Sequence, residues 1–403
     1  MGNAGKPSTR RPFIGIMEAM NHAGQSPFES YSIDQLRTRR SIKWRAFDPD
    51  VLPLWIAEMD AALAPAVTEA LATAVRNGDT GYPNSIDLAP AFSDFAADHF
   101  GWRVPRDKPV LVPDVMAGIR VALDEVSRPG DKVIVSTPVY PPFFDNISVL
   151  ERQLVSCPLA RTDDGYRFDF DRLESVFADG AAVYLMCNPH NPVGRVYTRA
   201  ELETIADLAQ RYDVRVISDE VHAPLTMPRY THIPFATLDH EAAARSFTCV
   251  AASKAWNLAG MKAALLIPGP ELGDIEVPEY VTMGTGLFGV LAGTAAFTHG
   301  REWLAHAIAG IDERRVYLQE LLNVHAPNVG YVPPQATYLA WLDFSAYDLP
   351  TPAAQYLLEH ARVAVNDGAT FVQGGQNFVR LNLATSRDVL SEAVTRIGTA
   401  LSQ

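Results

Sequence analysis

A chain of 403 residues, 48% of them hydrophobic, is long enough for two domains, or for one large and one small, with a substantial core. Its formal net charge of -13 argues against a nucleic-acid binder, which normally leaves a basic footprint, and suits a small-molecule enzyme. The three cysteines, Cys157, Cys187 and Cys249, are widely spaced and odd in number, so neither a disulfide framework nor a zinc site is predicted, and a reducing, cytoplasmic compartment fits.

At the N-terminus, TRRPFIGIM opens on Arg10-Arg11, the pair used by twin-arginine signals. The apolar run behind it is broken by Glu18 and ends in NHAGQS, so no export signal is predicted. MGNAGK starts like a myristoylation signal but carries Lys6 where Ser or Thr is wanted. No run reaches the roughly 18 apolar residues of a membrane span. Residues 1–28 read as an extension, or as an arm on a partner subunit.

Further along, LAPAVTEALATAVRNG predicts a helix opened by Pro65 and closed by Gly78. DKVIVSTP is a short buried strand after the Pro129-Gly130 turn, and AAVYLMCNP is a second continuous apolar strand. TRAELETIADLAQRY is an amphipathic helix with Thr198 as N-cap; VRVISDE, SFTCVAAS and KAALLIPG supply further strands. REWLAHAIAGIDERRVYLQELLN has apolar residues at helical spacing over a long span. Alternation of this kind predicts an α/β fold, a mostly parallel sheet with helices on both faces, whose ligands bind beyond the carboxyl ends of the strands.

Those strand ends carry STPVYPPF, CNPHNPVG, SDEVHAP and AASK. Taken singly each has an ordinary explanation: Asn-Pro forms turns, an Asp after a strand caps a helix, and a lone lysine is usually at the surface. Their order, Y-x-P, NPHNPVG, SDEVH and then SK with NLAGMK, resembles that of the fold-type I pyridoxal-phosphate enzymes, the aspartate aminotransferase superfamily. LPLWIAEMD, DTGYP, VPDVMAGI, TPVYPPF, ISDEVHAPL, SKAWNLAGMK, ATYLAWLDF and FVRLNLATSR are similar to the cystathionine β-lyase or carbon-sulfur lyase branch, the MalY/PatB group. The resemblance runs from about Ser32 to the C-terminus.

It implies pyridoxal 5'-phosphate as cofactor, covalently attached to Lys254. Attachment needs a deprotonated amine, which desolvation and a nearby cation favour, and Lys262 is placed to supply that charge. By the resemblance, Lys262, Ser253 and the amides of Met116, Ala117 and Gly118 hold the phosphate. Asp219 pairs with the ring nitrogen, Asn191 and His222 meet the ring hydroxyl, and Tyr140 stacks on the ring. Arg380 forks onto the substrate α-carboxylate, a geometry that guanidinium offers. Tyr82 reaches the partner's cofactor phosphate across a homodimer with shared active sites, and residues 283–289 line the neighbour's site.

The activity implied is α,β-elimination from L-cystathionine or a related L-cysteine S-conjugate, with Lys254 as base and Tyr82 or Tyr140 as further proton donors. An aminotransferase on the same scaffold is the alternative, and a regulatory binding role is a third reading. Three departures from the family pattern stand out. Ala251 replaces a phosphate-binding serine, Ala61 a common aromatic and Gln335 a frequent glutamate, the last two expected at the substrate pocket. The same resemblance divides the chain into a large domain, 65–300, and a small one built from 29–64 and 301–403.

Overall fold

The computed structural model describes residues 26–402 apart from Ser85; the export and extension readings for residues 1–25 lie outside the described residues. In chain order the main elements are α1 (Pro65–Asn77), α2 (Leu88–Phe100), β1 (Val110–Val112), α3 (Val115–Val126), β2 (Lys132–Val135), α4 (Pro142–Val149) and β3 (Gln153–Ser156). Next come α5 (Phe170–Ala178), β4 (Ala181–Cys187), α6 (Arg199–Arg211), β5 (Arg215–Asp219), β6 (Phe247–Val250) and β7 (Ala264–Pro268). The C-terminal part holds α7 (Leu287–His299), α8 (Arg301–His325), β8 (Gly330–Tyr331), β9 (Leu339–Asp343), β10 (Asn366–Asp367), β11 (Phe378–Asn382) and α9 (Arg387–Leu401).

Local signals act where the sequence carries them. Gly78 closes α1 in the left-handed region (φ 68°), donating its N–H to Ala74 and Val75 carbonyls. Thr198 and Glu201 form a reciprocal capping box on α6.

Seven strands make the larger sheet in the order β1-β7-β6-β5-β4-β2-β3. The pairs from β3 through β6 are parallel, and β7 runs antiparallel to both β6 and β1. The reversal at β7 was not signalled by its sequence, but the connection explains it. Residues 251–263 form turns rather than a crossover helix, and an antiparallel neighbour can be reached by a short connection of that kind. The central strand β4 is buried along nearly its whole length, as its unbroken apolar sequence predicts for a sheet covered on both faces.

A second, antiparallel sheet has the order β8-β9-β11-β10, with Trp341 opposite Arg380. It packs with α9 and the second half of α8 around Leu318, Leu322, Leu342, Leu381 and Ile397. The first half of α8 instead buries Leu304, Ala307 and Ile311 with the core that contains Trp256 and Leu265. One 25-residue helix therefore belongs to both cores, which fixes the two sheets relative to each other.

Residues 54–61 run along the seam. Leu54 exchanges backbone hydrogen bonds with Ala364 and Asn382, and Asp60 N–H donates to the Ala384 carbonyl. The Asn257 side chain clamps the Met59 peptide from the other side, accepting its N–H at 2.8 Å and donating to its carbonyl at 2.9 Å. Beneath them Lys43 and Asp60 form a buried ion pair of 2.7 Å, completed by Trp44 Nε1 donating to Asp60. At the start of the described chain the extension reading needs correcting. Pro27 and Phe28 are buried, Phe28 completely, and its ring lies against Gly310 and under the Arg314 guanidinium of α8.

Candidate active site

The carboxyl ends of β1, β2, β4, β5 and β6 all open on one cavity of about 220 Å³. Eight of the side chains expected from the sequence line it: Met116, Tyr140, Asn191, Asp219, His222, Ser253, Lys254 and Lys262. A larger cavity, about 620 Å³, lies between the hairpin at 160–167 and the second sheet and contains none of them.

Lys254 follows β6 and is partly buried, its Nζ donating to the Ala57 carbonyl at 3.4 Å. Burial, then the charge of Arg380, lower its pKa to about 8 against the pull of Asp219; Lys262 adds a smaller push in the same direction. The sequence reading credited that electrostatic role to Lys262, but the larger charge contribution comes from Arg380 on a different sheet. The stretch from Lys254 to Lys262 is not α-helical. It runs through turns and a short 3-10 segment, with Asn257 and Lys262 both at φ 60°.

Asp219 ends β5, buried, and accepts the Val221 N–H at 3.1 Å. Desolvation pushes its carboxyl up to about 7, against the Val221 hydrogen bond and Lys254. His222 is buried beside it, held neutral by burial and by the charges of Lys254 and Arg380, and its Nδ1 has no partner among the described residues. Burial raises the Tyr140 hydroxyl, with Arg380 opposing.

Arg380 on β11 is buried and reaches the site from the second sheet. It donates to Asn191 Oδ1 at 3.1 Å and to Asn366 Oδ1 at 2.6 Å, and its guanidinium carbon sits 4.9 Å from the centre of the Phe371 ring. Its Nε has no partner among the described residues. Burial lowers its pKa to about 10, so it remains a cation at neutral pH.

Three expected residues stand elsewhere. The N–H groups of Ala117 and Gly118, predicted on a phosphate, are already engaged: Ala117 donates to Asp114 Oδ1 at 2.9 Å and Gly118 to the Asp114 carbonyl at 3.1 Å. By helix geometry the amides that remain free are those of Val115 and Met116, which have no partner among the described residues; both residues line the cavity. Gly118 instead lets α3 approach the sheet, since a Cβ there would lie 3.3 Å from Cys249 Sγ. Tyr82 is 84% exposed and does not line the cavity of its own chain. The substituted positions also need correction. Ala61 lies in the hydrophobic core, and Gln335 lines the larger cavity while accepting the Val196 N–H, so neither touches the lysine pocket.

Sequence reasoning missed Ala57, Val221, Tyr338, Asn366 and Asp114. Tyr338 is buried, donates to the Ala57 carbonyl at 3.0 Å, and lies 6.0 Å from His222 ring to ring. WIAEMD and ATYLAWLDF carried a signal as family motifs, but nothing in them says that a carbonyl from one meets a hydroxyl from the other.

An amine of lowered pKa, a buried carboxyl with the unpartnered His222 nitrogen nearby, two free helix amides and a buried guanidinium from a second sheet are the fittings of one small, multiply anchored ligand. The residues fit pyridoxal phosphate: Lys254 for attachment, Asp219 and His222 for the ring, and Val115, Met116, Ser253 and Lys262 for the phosphate. Fold and site together define the fold-type I class of pyridoxal-phosphate-dependent enzymes. The chain belongs to the family "Aminotransferase class I and II", whose profile matches residues 49–397.

A Mycobacterium leprae protein is 43% identical, over 93% of this chain and 98% of its own. The cystathionine beta-lyase of Corynebacterium glutamicum is 35% identical, over 92% of this chain and 99% of its own. The solved structure of cystalysin from Treponema denticola, which contains a pyridoxal 5'-phosphate cofactor, superposes with a TM-score of 0.85 at 29% identity, covering 94% of this chain and 99% of that one.

Proposed function

We propose that the protein is a pyridoxal-phosphate-dependent carbon-sulfur lyase. It eliminates the β-thiolate of L-cystathionine or a related L-cysteine S-conjugate and, with one water, yields a thiol, pyruvate and ammonia. For cystathionine the thiol is homocysteine. The observation that carries this reading is the placing of Lys254, Asp219 and Asn191 in one cavity, with Arg380 from the second sheet bonded to that asparagine. The lyase direction is supported by the near full-length similarity to the C. glutamicum enzyme.

When bound, the cofactor supplies an electron sink for negative charge developing at the substrate Cα. Arg380 holds the α-carboxylate, while Asn191, which accepts from the same guanidinium, would meet the ring hydroxyl. Lys254 would take the Cα proton as base; its pKa, lowered to about 8 by burial and then by Arg380, suits proton transfer near neutral pH. Asp219 would hold the ring nitrogen, and a cation there would favour the ionised carboxylate over the protonated form that burial promotes. Lys254 as an ammonium, or Tyr82 or Tyr140, then delivers a proton to the departing sulfur.

Two copies share their sites in this reading, Tyr82 of each reaching the other's phosphate, which accounts for an exposed tyrosine with no role in its own chain. The division into a large domain, 65–300, and a small one, 29–64 with 301–403, is part of it, as is work on a small molecule in the cytoplasm. The test is purified enzyme with cystathionine and no keto acid. Pyruvate and thiol released in equal amounts support the lyase. Amino-group transfer to an added keto acid without pyruvate makes it an aminotransferase, and neither reaction leaves a binding role.

A further inference from the structure

Asp114 stands at the N-cap of α3 with extended backbone, and its carboxylate faces two ways. Oδ1 accepts the Ala117 N–H at 2.9 Å, and Oδ2 accepts Lys262 Nζ at 2.9 Å. Desolvation works to raise its pKa, but the hydrogen bonds from Lys262 and Ala117 and the charge of Lys262 outweigh it, so the group is an anion at neutral pH. Asp114 lines the lysine cavity together with Val115, Met116, Ser253 and Lys262, the groups read above as the phosphate end.

That end therefore carries a fixed negative charge hydrogen-bonded to its own cation. A phosphate dianion arriving at Lys262 and the amides of Val115 and Met116 must share the ammonium with this carboxylate or draw it away, against like-charge repulsion at close range. Among the described residues no side-chain cation besides Lys254 and Lys262 lines the cavity, and Arg120 acts on Asp114 only as a weaker charge than Lys262.

We propose that Asp114 is an internal competitor for the cofactor's phosphate. It loosens the hold on that group, so that retention of the cofactor depends on the bond to Lys254 and on the ring contacts, and the cofactor can be exchanged. The inference rests on the reading of Lys262 as phosphate anchor.

Asn at position 114 is as good an N-cap as Asp and still accepts from Ala117, but it carries no charge. The experiment compares wild-type protein stripped of cofactor with Asp114→Asn, and with Asp114→Ser as a second neutral cap. Each is titrated with pyridoxal phosphate and with pyridoxal, which has the same ring and aldehyde but no phosphate. The neutral variants are expected to bind pyridoxal phosphate about ten-fold more tightly or better, with pyridoxal affinity unchanged. Unchanged or weaker binding of pyridoxal phosphate overturns the proposal, since the carboxylate then supports the phosphate site. An equal gain for both ligands overturns it too, because the effect is then not on the phosphate. Failure of wild-type protein to bind either compound is a different result: it removes the functional reading itself, and this inference with it.

Discussion

In protein stripped of its cofactor, the reactivity of Lys254 reports directly on the electrostatics of the cavity. Its pKa of about 8 stands against 10.5 for an unperturbed lysine. At pH 7 that difference leaves about one amine in ten free rather than about one in three thousand, roughly a 300-fold gain in nucleophile. The pH dependence of cofactor attachment, followed by stopped-flow absorbance and divided by the rate for a free lysine derivative with the same reagent, should level off above about pH 8. Arg380→Gln removes the largest opposing charge and should raise the apparent pKa; Lys262→Gln should raise it less, and Asp219→Asn should lower it. Their order matters more than any single value, because it follows from which groups face the amine. An apparent pKa of an ordinary lysine in the wild type, or a larger effect of Lys262 than of Arg380, would refute the reasoning.

Two further expectations follow. Lys254→Ala and Tyr82→Ala should each be nearly inactive, yet a mixture refolded together should regain about a quarter of wild-type activity, because half of the dimers are mixed and each mixed dimer has one site with both residues intact; no recovery would mean that Tyr82 does not act across an interface. Asn257→Ala releases both hydrogen bonds on the Met59 peptide and leaves alanine at φ 60°, so calorimetry should record a loss of about 2–4 kcal/mol in stability, and an unchanged melting temperature would show that the clamp holds nothing.

Much of the fold was legible because the signals are local. The unbroken apolar run of β4, the capping box on α6 and the Gly78 stop on α1 each act within a few residues of where they are written. The identities at the strand ends were legible for a related reason: a parallel sheet delivers its carboxyl ends to one edge, so motifs far apart in sequence share a cavity. The same logic misassigned Ala117 and Gly118, because it recognised a helix start without counting which amides the Asp114 cap and the first helical turn already use.

The α/β architecture, and the lysine and strand-end groups that share one cavity, could be read from residue type and short-range pattern. Tertiary structure alone decided how those groups act on one another. Burial, and then Arg380 from a separate sheet, lower the pKa of Lys254, Tyr338 and Lys254 meet the carbonyl of Ala57, and Asp114 holds Lys262 across an interval of 148 residues. Electrostatic and hydrogen-bonding effects depend on distance and burial in space, and those are fixed only when the strands, the seam at 54–61 and the second sheet have packed.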